Sequence, residues 1–402
     1  MTNNLKRKSI VFFLNWVQGQ EEGLTGGDRI WIELAKKWSP KTKLSILGSE
    51  EAVRIGRKNI SQKIEMLICS KEIRSKNLLS VNSLFKNSIS RTIKGFIFLR
   101  TFLKNNKVDY LYSSSDFPAD SIPCFLTKLL HPKLIWIAGF YLFAPPFWDK
   151  NSPYKKIAFF RGFAYWFSQI PTYLLINLFA DLVFVTSEPD KRKFINSKRE
   201  EEKVIVVRGG VDVTGSKNYK QTGKNKKYLA CFIGRLHYQK GVLELVDIWK
   251  RVVGKNSKAK LAIIGNGELK SALCAKIKDQ KMKKNIDLFG FMDGEAKFEI
   301  FKNSKIIVHP AIFDSGGMAA AEGMAWGLPG VSFDLESLKT YYPKGMLKTP
   351  CFNLDQFADN ILKLNEDSEK YKNYSKEAQD LINQEWDWDK RAERIFDKVF
   401  RR

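Results

Sequence analysis

Residues 229–241 read LACFIGRLHYQKG, and the rest of the chain can be read outward from them. Leu229 to Ile233 are apolar without alternation, the mark of a strand covered on both faces. Gly234 then lets the chain leave the strand in a sharp turn. After Gly241 the run VLELVDIWKRVV (242–253) repeats apolar residues at three- and four-residue spacing, which predicts an amphipathic helix. Buried strand, tight loop and helix make one step of a parallel α/β sheet. The loop carries Arg235 and Lys240. A strand–loop–helix junction presents unpaired N–H groups and the positive end of a helix dipole. With an Arg and a Lys added, it becomes a receptor for a dianionic phosphate.

The same rhythm continues in both directions. Upstream, strands are expected over 10–14, 44–47, 64–68, 110–112, 134–137, 182–186 and 204–207; downstream over 229–233, 261–264, 286–289, 306–308 and 329–333. Between the two series, 210–226 is rich in Gly, Lys and polar residues and reads as a linker. The expected organisation is a Rossmann-like domain over 1–209 and a second over 227–380, with a closing helix over 381–402. The fold class is α/β, two doubly wound domains. Such sheets bind ligands beyond the carboxyl ends of their strands.

A second loop therefore matters, HPAIFDSGGMAAAEGMAWGLPG (309–330). It leaves the strand at 306–308, and a helix is expected from about Met318. Gly316 and Gly317 keep the first N–H groups of that helix open to a phosphate or sugar oxygen. Glu322 falls one turn inside, where its carboxylate can accept two hydrogen bonds from a ribose diol, and Asp314 sits in the loop within reach of a sugar. Asp387 and Asp389 flank Trp388 at the start of the last helix, far from any strand end, and are not expected to hold a metal.

Composition bounds the partners. Lys and Arg number 68 against 43 Asp and Glu, a net charge of +25, which attracts anions. Nucleic acid is set aside because no helix-turn-helix, zinc or RNP-like signature accompanies the charge. A dinucleotide oxidoreductase is set aside because LNWVQGQEEGLTGG (14–27) lacks G-x-G-x-x-G after the first strand. Five scattered cysteines, Cys69, Cys124, Cys231, Cys274 and Cys351, suggest neither a disulfide framework nor a zinc site, and a reducing, cytoplasmic compartment is expected. The short apolar run at 10–14 reads as a strand rather than a leader, and no segment is long and apolar enough to predict a membrane span.

Residues 73–108 carry eight basic side chains (Arg74, Lys76, Lys86, Arg91, Lys94, Arg100, Lys104, Lys107) and no acidic one. Phe85, Ile89, Ile93, Phe96, Leu99 and Leu103 recur there at helical spacing, as an apolar stripe on a basic helix. Aromatic runs YLFAPPFW (141–148) and FFRGFAYWF (159–167) lie nearby in sequence. Together these predict peripheral docking on the inner face of an anionic membrane.

The order IGRLHYQKG, IIGNGEL (263–269), IDLFGFMDGEAKFEIFKNSKIIVHPA (286–311), D-x7-E and GMAWGLPG resembles the group 1 glycosyltransferases, retaining, metal-independent enzymes of GT-B architecture. The resemblance covers 203–402. It is weaker in the first half, where it rests on TGGDRIWIELAKKW (25–38), YLYSSSDFPADSIP (110–123) and the VRGGVD junction. It implies two Rossmann-like domains facing a central cleft and a last helix crossing back to the first domain. It implies a nucleotide-diphosphate sugar as donor, a glycan or lipid-linked acceptor, and no cofactor or metal. By residue it implies Arg235, Lys240 and Asp314 as catalytic. Donor contacts would come from Gly26, Gly27, Gly234, Gly265, Asn266, Gly267, Phe291, Ser315, Gly316, Gly317, Met318 and Glu322. Two departures stand out: Asp314 replaces the first Glu of the family's E-x7-E pair, and IWIAGF (135–140) offers no His where the family commonly has one. A catalytically silent donor-binding protein and a phosphorylase or epimerase of the same architecture are the competing readings.

Overall fold

Ser9–Leu14 is buried along its whole length except at Ser9, because apolar residues point to both faces of the strand. This strand, β1, starts a computed structural model that describes residues 7–16, 24–71, 81–148, 159–221 and 226–401. The described residues fall into two units. The first holds the chain up to 147, then 159–208 and 391–401; the second holds 148 and 209–390.

In the first unit β1 is followed by α1 (Gly26–Trp38), β2 (Lys43–Ser49), α2 (Glu50–Asn59), β3 (Glu65–Ser70), α3 (Val81–Asn105), β4 (Tyr110–Ser113) and α4 (Pro118–Leu130). Then come β5 (Ile135–Gly139), α5 (Phe159–Phe179), β6 (Leu182–Val185), α6 (Glu188–Arg192) and β7 (Val204–Val206). The sheet is parallel throughout, in the order β3-β2-β1-β4-β5-β6-β7. Val11, Phe13, Leu111, Trp136 and Val183 share one core with Leu99 of α3, Cys124 of α4 and Ile176 of α5, so these three helices form one layer.

The second unit runs β8 (Tyr228–Ile233), α7 (Val242–Lys255), β9 (Leu261–Ile264), α8 (Lys270–Asp279), β10 (Ile286–Gly290), α9 (Gly294–Lys302), β11 (Ser304–His309) and α10 (Met318–Ala325). β12 (Gly330–Phe333), α11 (Glu336–Tyr341), β13 (Met346–Thr349), α12 (Leu354–Glu366) and α13 (Ser368–Glu385) complete it. Its order, β10-β9-β8-β11-β12-β13, is that of a Rossmann sheet, with the order reversing between β8 and β11. On α7 the residues Val242, Leu245, Val246, Ile248, Trp249 and Val252 are all fully buried. Each large side chain among them contributes roughly 1.5–3 kcal/mol of apolar burial.

Four details differ from the sequence reading. β13 was not expected. The described part of the segment read as a linker, 210–221, is packed: Val211 and Val213 lie in the second unit's core, and a side chain at Gly210 would strike the Trp388 ring; residues 222–225 lie outside the described set. The closing helix is broken after Glu385, and α14 (Trp388–Phe400) begins anew, with the Asp387 carboxylate accepting from the Asp389 amide at 2.8 Å. On α3, Leu99 is fully buried and Phe96 and Leu103 are half-buried, whereas Phe85, Ile89, Ile93 and Ile97 face solvent. Arg91 is buried too, with Nη2 2.6 Å from Glu51 Oε1 and Nη1 donating to the Asn15 carbonyl at 3.0 Å. Arg74 and Lys76 lie outside the described residues.

Candidate functional site

β8 and β11 are neighbours, and each ends in a glycine loop that opens a helix. Gly241 caps α7 at φ 61° and Gly317 caps α10 at φ 62°, the left-handed region that favours glycine. The two loops touch. A Cβ on Gly241 would lie 1.9 Å from the Pro310 carbonyl oxygen, and the Gln239 carbonyl accepts from the Ile312 amide at 3.0 Å. Two helix N-termini are thereby held side by side at the point where strand order reverses, a natural anion site.

Lys240 reaches across this seam. Its ammonium lies 2.5 Å from Asp314 Oδ2, which His309 Nε2 also contacts at 3.0 Å. The other oxygen, Oδ1, accepts from the Gly316 and Gly317 amides at 3.2 and 3.1 Å. Burial alone would raise the Asp314 pKa; the Lys240 charge and the His309 hydrogen bond overcome it and hold the carboxyl well below its usual range. Asp314 thus turns inward and ties the loop to Lys240. Arg235 stands exposed on the same loop, with no side-chain partner among the described residues.

The other donor residues expected in this unit lie on the loops after β8, β9, β10 and β11 or on α10. A Cβ on Gly265 (φ 146°) would sit 1.9 Å from the Gly234 carbonyl oxygen, so the loops after β8 and β9 pass backbone to backbone. The Asn266 carbonyl accepts from the Leu236 amide at 2.8 Å, and a Cβ on Gly267 would lie 2.4 Å from the Leu236 carbonyl oxygen. Phe291 is exposed just beyond β10. Ser315 is half-buried in the Asp314 loop, and Met318 opens α10 against Gly209. Glu322, one turn into α10, has its Oε2 at 2.7 Å from the Lys297 ammonium, which also meets Asp293 at 2.7 Å. Lys297 was not singled out from the sequence, although it lies four residues after Asp293; its side chain is only 5% exposed.

Gly26 and Gly27 belong to the first unit, where they open α1 behind a capping box made by Thr25 and Asp28. That unit holds a second polar cluster, at its own order reversal between β1 and β4. Asp120 is fully buried and accepts from the Asn15 and Trp16 amides at 2.6 and 2.7 Å, from Ser114 at 3.1 Å, and from Ser115. Burial pushes its pKa up to about 7 against those hydrogen bonds.

Two Rossmann-like α/β domains carrying these loops place the chain in the GT-B fold class, and its likenesses to known proteins agree. Residues 216–381 match the family model described as "Glycosyl transferases group 1". An uncharacterized glycosyltransferase of Methanocaldococcus jannaschii, MJ1059, is 28% identical over 200 residues, 47% of this chain and 48% of its own length. The poly(glycerol-phosphate) alpha-glucosyltransferase of Bacillus subtilis is 27% identical over 158 residues, 38% of this chain and 23% of its own. Among solved structures, Anabaena HepE in complex with UDP and glucose superposes at TM-score 0.68 with 15% identity, over 98% of this chain and 99% of its own. The matched segments span about a quarter to a half of the first curated relatives' length.

Proposed function

We propose that the chain is a glycosyltransferase that moves a sugar from a nucleotide-diphosphate donor to a glycan or lipid-linked acceptor, with retention and without a metal. The observation that carries this reading is the joined pair of helix N-termini with Lys240 braced by Asp314 beside the exposed Arg235. In the reaction the bond from the sugar's anomeric carbon to the diphosphate oxygen breaks. A bond from that carbon to the acceptor oxygen forms, and the leaving diphosphate takes the acceptor's proton. Such a transfer needs stabilisation of the departing charge more than a strong base. Arg235 and Lys240 supply it together with the α7 and α10 amides. Lys297 positions Glu322 for the ribose. The relatives support glycosyl transfer by name, and the UDP and glucose in HepE support a nucleotide donor by likeness of fold. The acceptor's placement on the inner face of an anionic membrane belongs to the same reading.

Nucleoside diphosphates and their sugars are screened first by thermal shift, since a ligand of the native state raises its apparent stability. Turnover of the donor that binds is then measured. Arg235→Ala and Lys240→Ala should each cut turnover by about 10²-fold or more, the scale of losing one preorganised contact; Arg235→Ala should leave the fold intact, whereas Lys240→Ala strands the buried Asp314 carboxylate and should lower stability as well. Parental turnover in both variants would remove the assignment. Donor binding with no transfer by the parent would make the chain a donor-binding protein instead.

A further inference from the structure

The outer surface of the α3–α4–α5 layer exposes large apolar side chains on each of the three helices. On α5, Phe160, Phe163, Phe167, Ile170, Leu174 and Leu178 are exposed, Phe160 at 76% and Phe167 at 59%. Their spacing of three and four residues puts them on one face, about 27 Å long at the helical rise. Residues 162–179 contain no charged side chain at all. Leu129 and Leu130 add to the surface at the end of α4, and Phe85, Ile89, Ile93 and Ile97 on α3, each between 46% and 68% exposed. A face of this kind marks an interaction site, because isolated domains rarely leave so many large apolar groups together in water.

The charge on the same layer selects the partner. Lys86, Lys94, Arg100 and Lys104 are exposed on α3 among its apolar residues, Lys107 follows, and neither α3 nor α5 contains an acidic residue. A second copy of this chain meeting the face symmetrically would set basic α3 against basic α3. An anionic phospholipid surface fits both features. Aromatic and aliphatic side chains enter the interface, while Lys and Arg stems lie along it and carry their charges to the phosphates. No helix among the described residues is long and apolar enough to cross a bilayer, so these helices would lie in the interface plane.

We infer that the α3–α4–α5 surface seats the first unit on an anionic bilayer, with the α5 face entering the lipid and the α3 basic residues gripping the headgroups. The inference rests on the reading of a membrane-bound acceptor, and its test does not use activity to score binding. Co-sedimentation with phosphatidylglycerol vesicles is compared with phosphatidylcholine vesicles for the parent and three variants. The first combines Phe160→Ser, Phe163→Ser and Phe167→Ser. The second combines Lys86→Gln, Lys94→Gln, Arg100→Gln and Lys104→Gln. The third, a control, neutralises as many exposed lysines of the second unit: Lys258→Gln, Lys270→Gln, Lys283→Gln and Lys284→Gln.

The parent should bind phosphatidylglycerol and release it as salt rises. Each basic side chain near an acidic surface is worth about fivefold in affinity, so the second variant should lose about 10²-fold or more. The first should lose at least tenfold, and the control should keep parental binding. Equal loss in control and second variant would reduce the effect to net charge and overturn the inference. So would a parent that ignores the vesicles, or a parent that sediments in solution as a dimer while the Phe variant is a monomer. Donor hydrolysis separates the two readings: vesicle binding without hydrolysis sinks the proposed activity alone, and hydrolysis without vesicle binding sinks only the docking surface.

Discussion

Asp120 is a carboxylate held by donors, with no cation beside it among its hydrogen-bond partners. Because burial lifts its pKa to about 7, the native state binds that proton more tightly than the unfolded chain does. Stability must therefore fall as pH rises from about 4 towards about 7, and level off above that. Asp120→Asn keeps an oxygen for the two amides and removes the ionisation. Relative to the parent, it should gain about 2–4 kcal/mol between about pH 5 and about pH 8, read by urea denaturation at both. A gap between parent and variant that stays constant with pH would refute the assignment. Asp314 carries the opposite sign. Its lowered pKa adds stability above the ordinary carboxylate range, lost progressively as the pH falls from that range towards the folded value. Neither environment was legible from sequence, where Asp314 reads as a loop acid and Asp120 is not singled out. Lys297 and Arg91 escaped for a related reason: long basic side chains are ordinarily solvated, and only the packed structure supplies the carboxylates that let them be buried.

At the scale of elements, the site depends on loops that touch rather than on side chains alone. Gly241→Ala meets both a left-handed backbone and the Pro310 carbonyl oxygen, whereas Gly290→Ala, at φ 72°, has open space around the new Cβ. The second should cost about 1–2 kcal/mol, the strain of the backbone itself. The first should cost well beyond that and weaken donor binding, because the α7 and α10 N-termini must part. Thermal melts of both variants decide it; equal losses would mean the seam yields freely. The βα rhythm was readable because buried parallel strands are continuous apolar runs, and the helix starts near Val242 and Met318 followed from Gly241 and Gly317. β13 was missed because MLKT has neither that run nor a clear alternation. The face of α3 was misread because apolar residues occur all round it, so periodicity alone could not tell the sheet side from the outer side.

Across the whole molecule, the last helix belongs to the first unit from residue 391 onward. Trp38 donates its indole N–H to the Ala392 carbonyl at 3.2 Å and meets the Phe396 and Phe400 rings at 6.0 and 5.3 Å; Tyr110 meets Phe400 at 4.8 Å. Phe396→Ala should therefore destabilise the first unit by about 3 kcal/mol, the scale of emptying a buried aromatic site. Hydrogen exchange of α1 and β4 is the readout. Unchanged protection there would show that α14 adds nothing to that core.

The contact between Trp38 and Ala392 spans 354 residues of chain. A ribosome adds about 5–20 residues per second, so the indole emerges roughly 20–70 seconds before its partner is made. During that interval the nascent first unit lacks part of its own core, while every residue of the second unit is added before residue 391. The first unit is thus begun before the second and completed after it, and a message truncated before residue 391 would leave its early tryptophan uncovered.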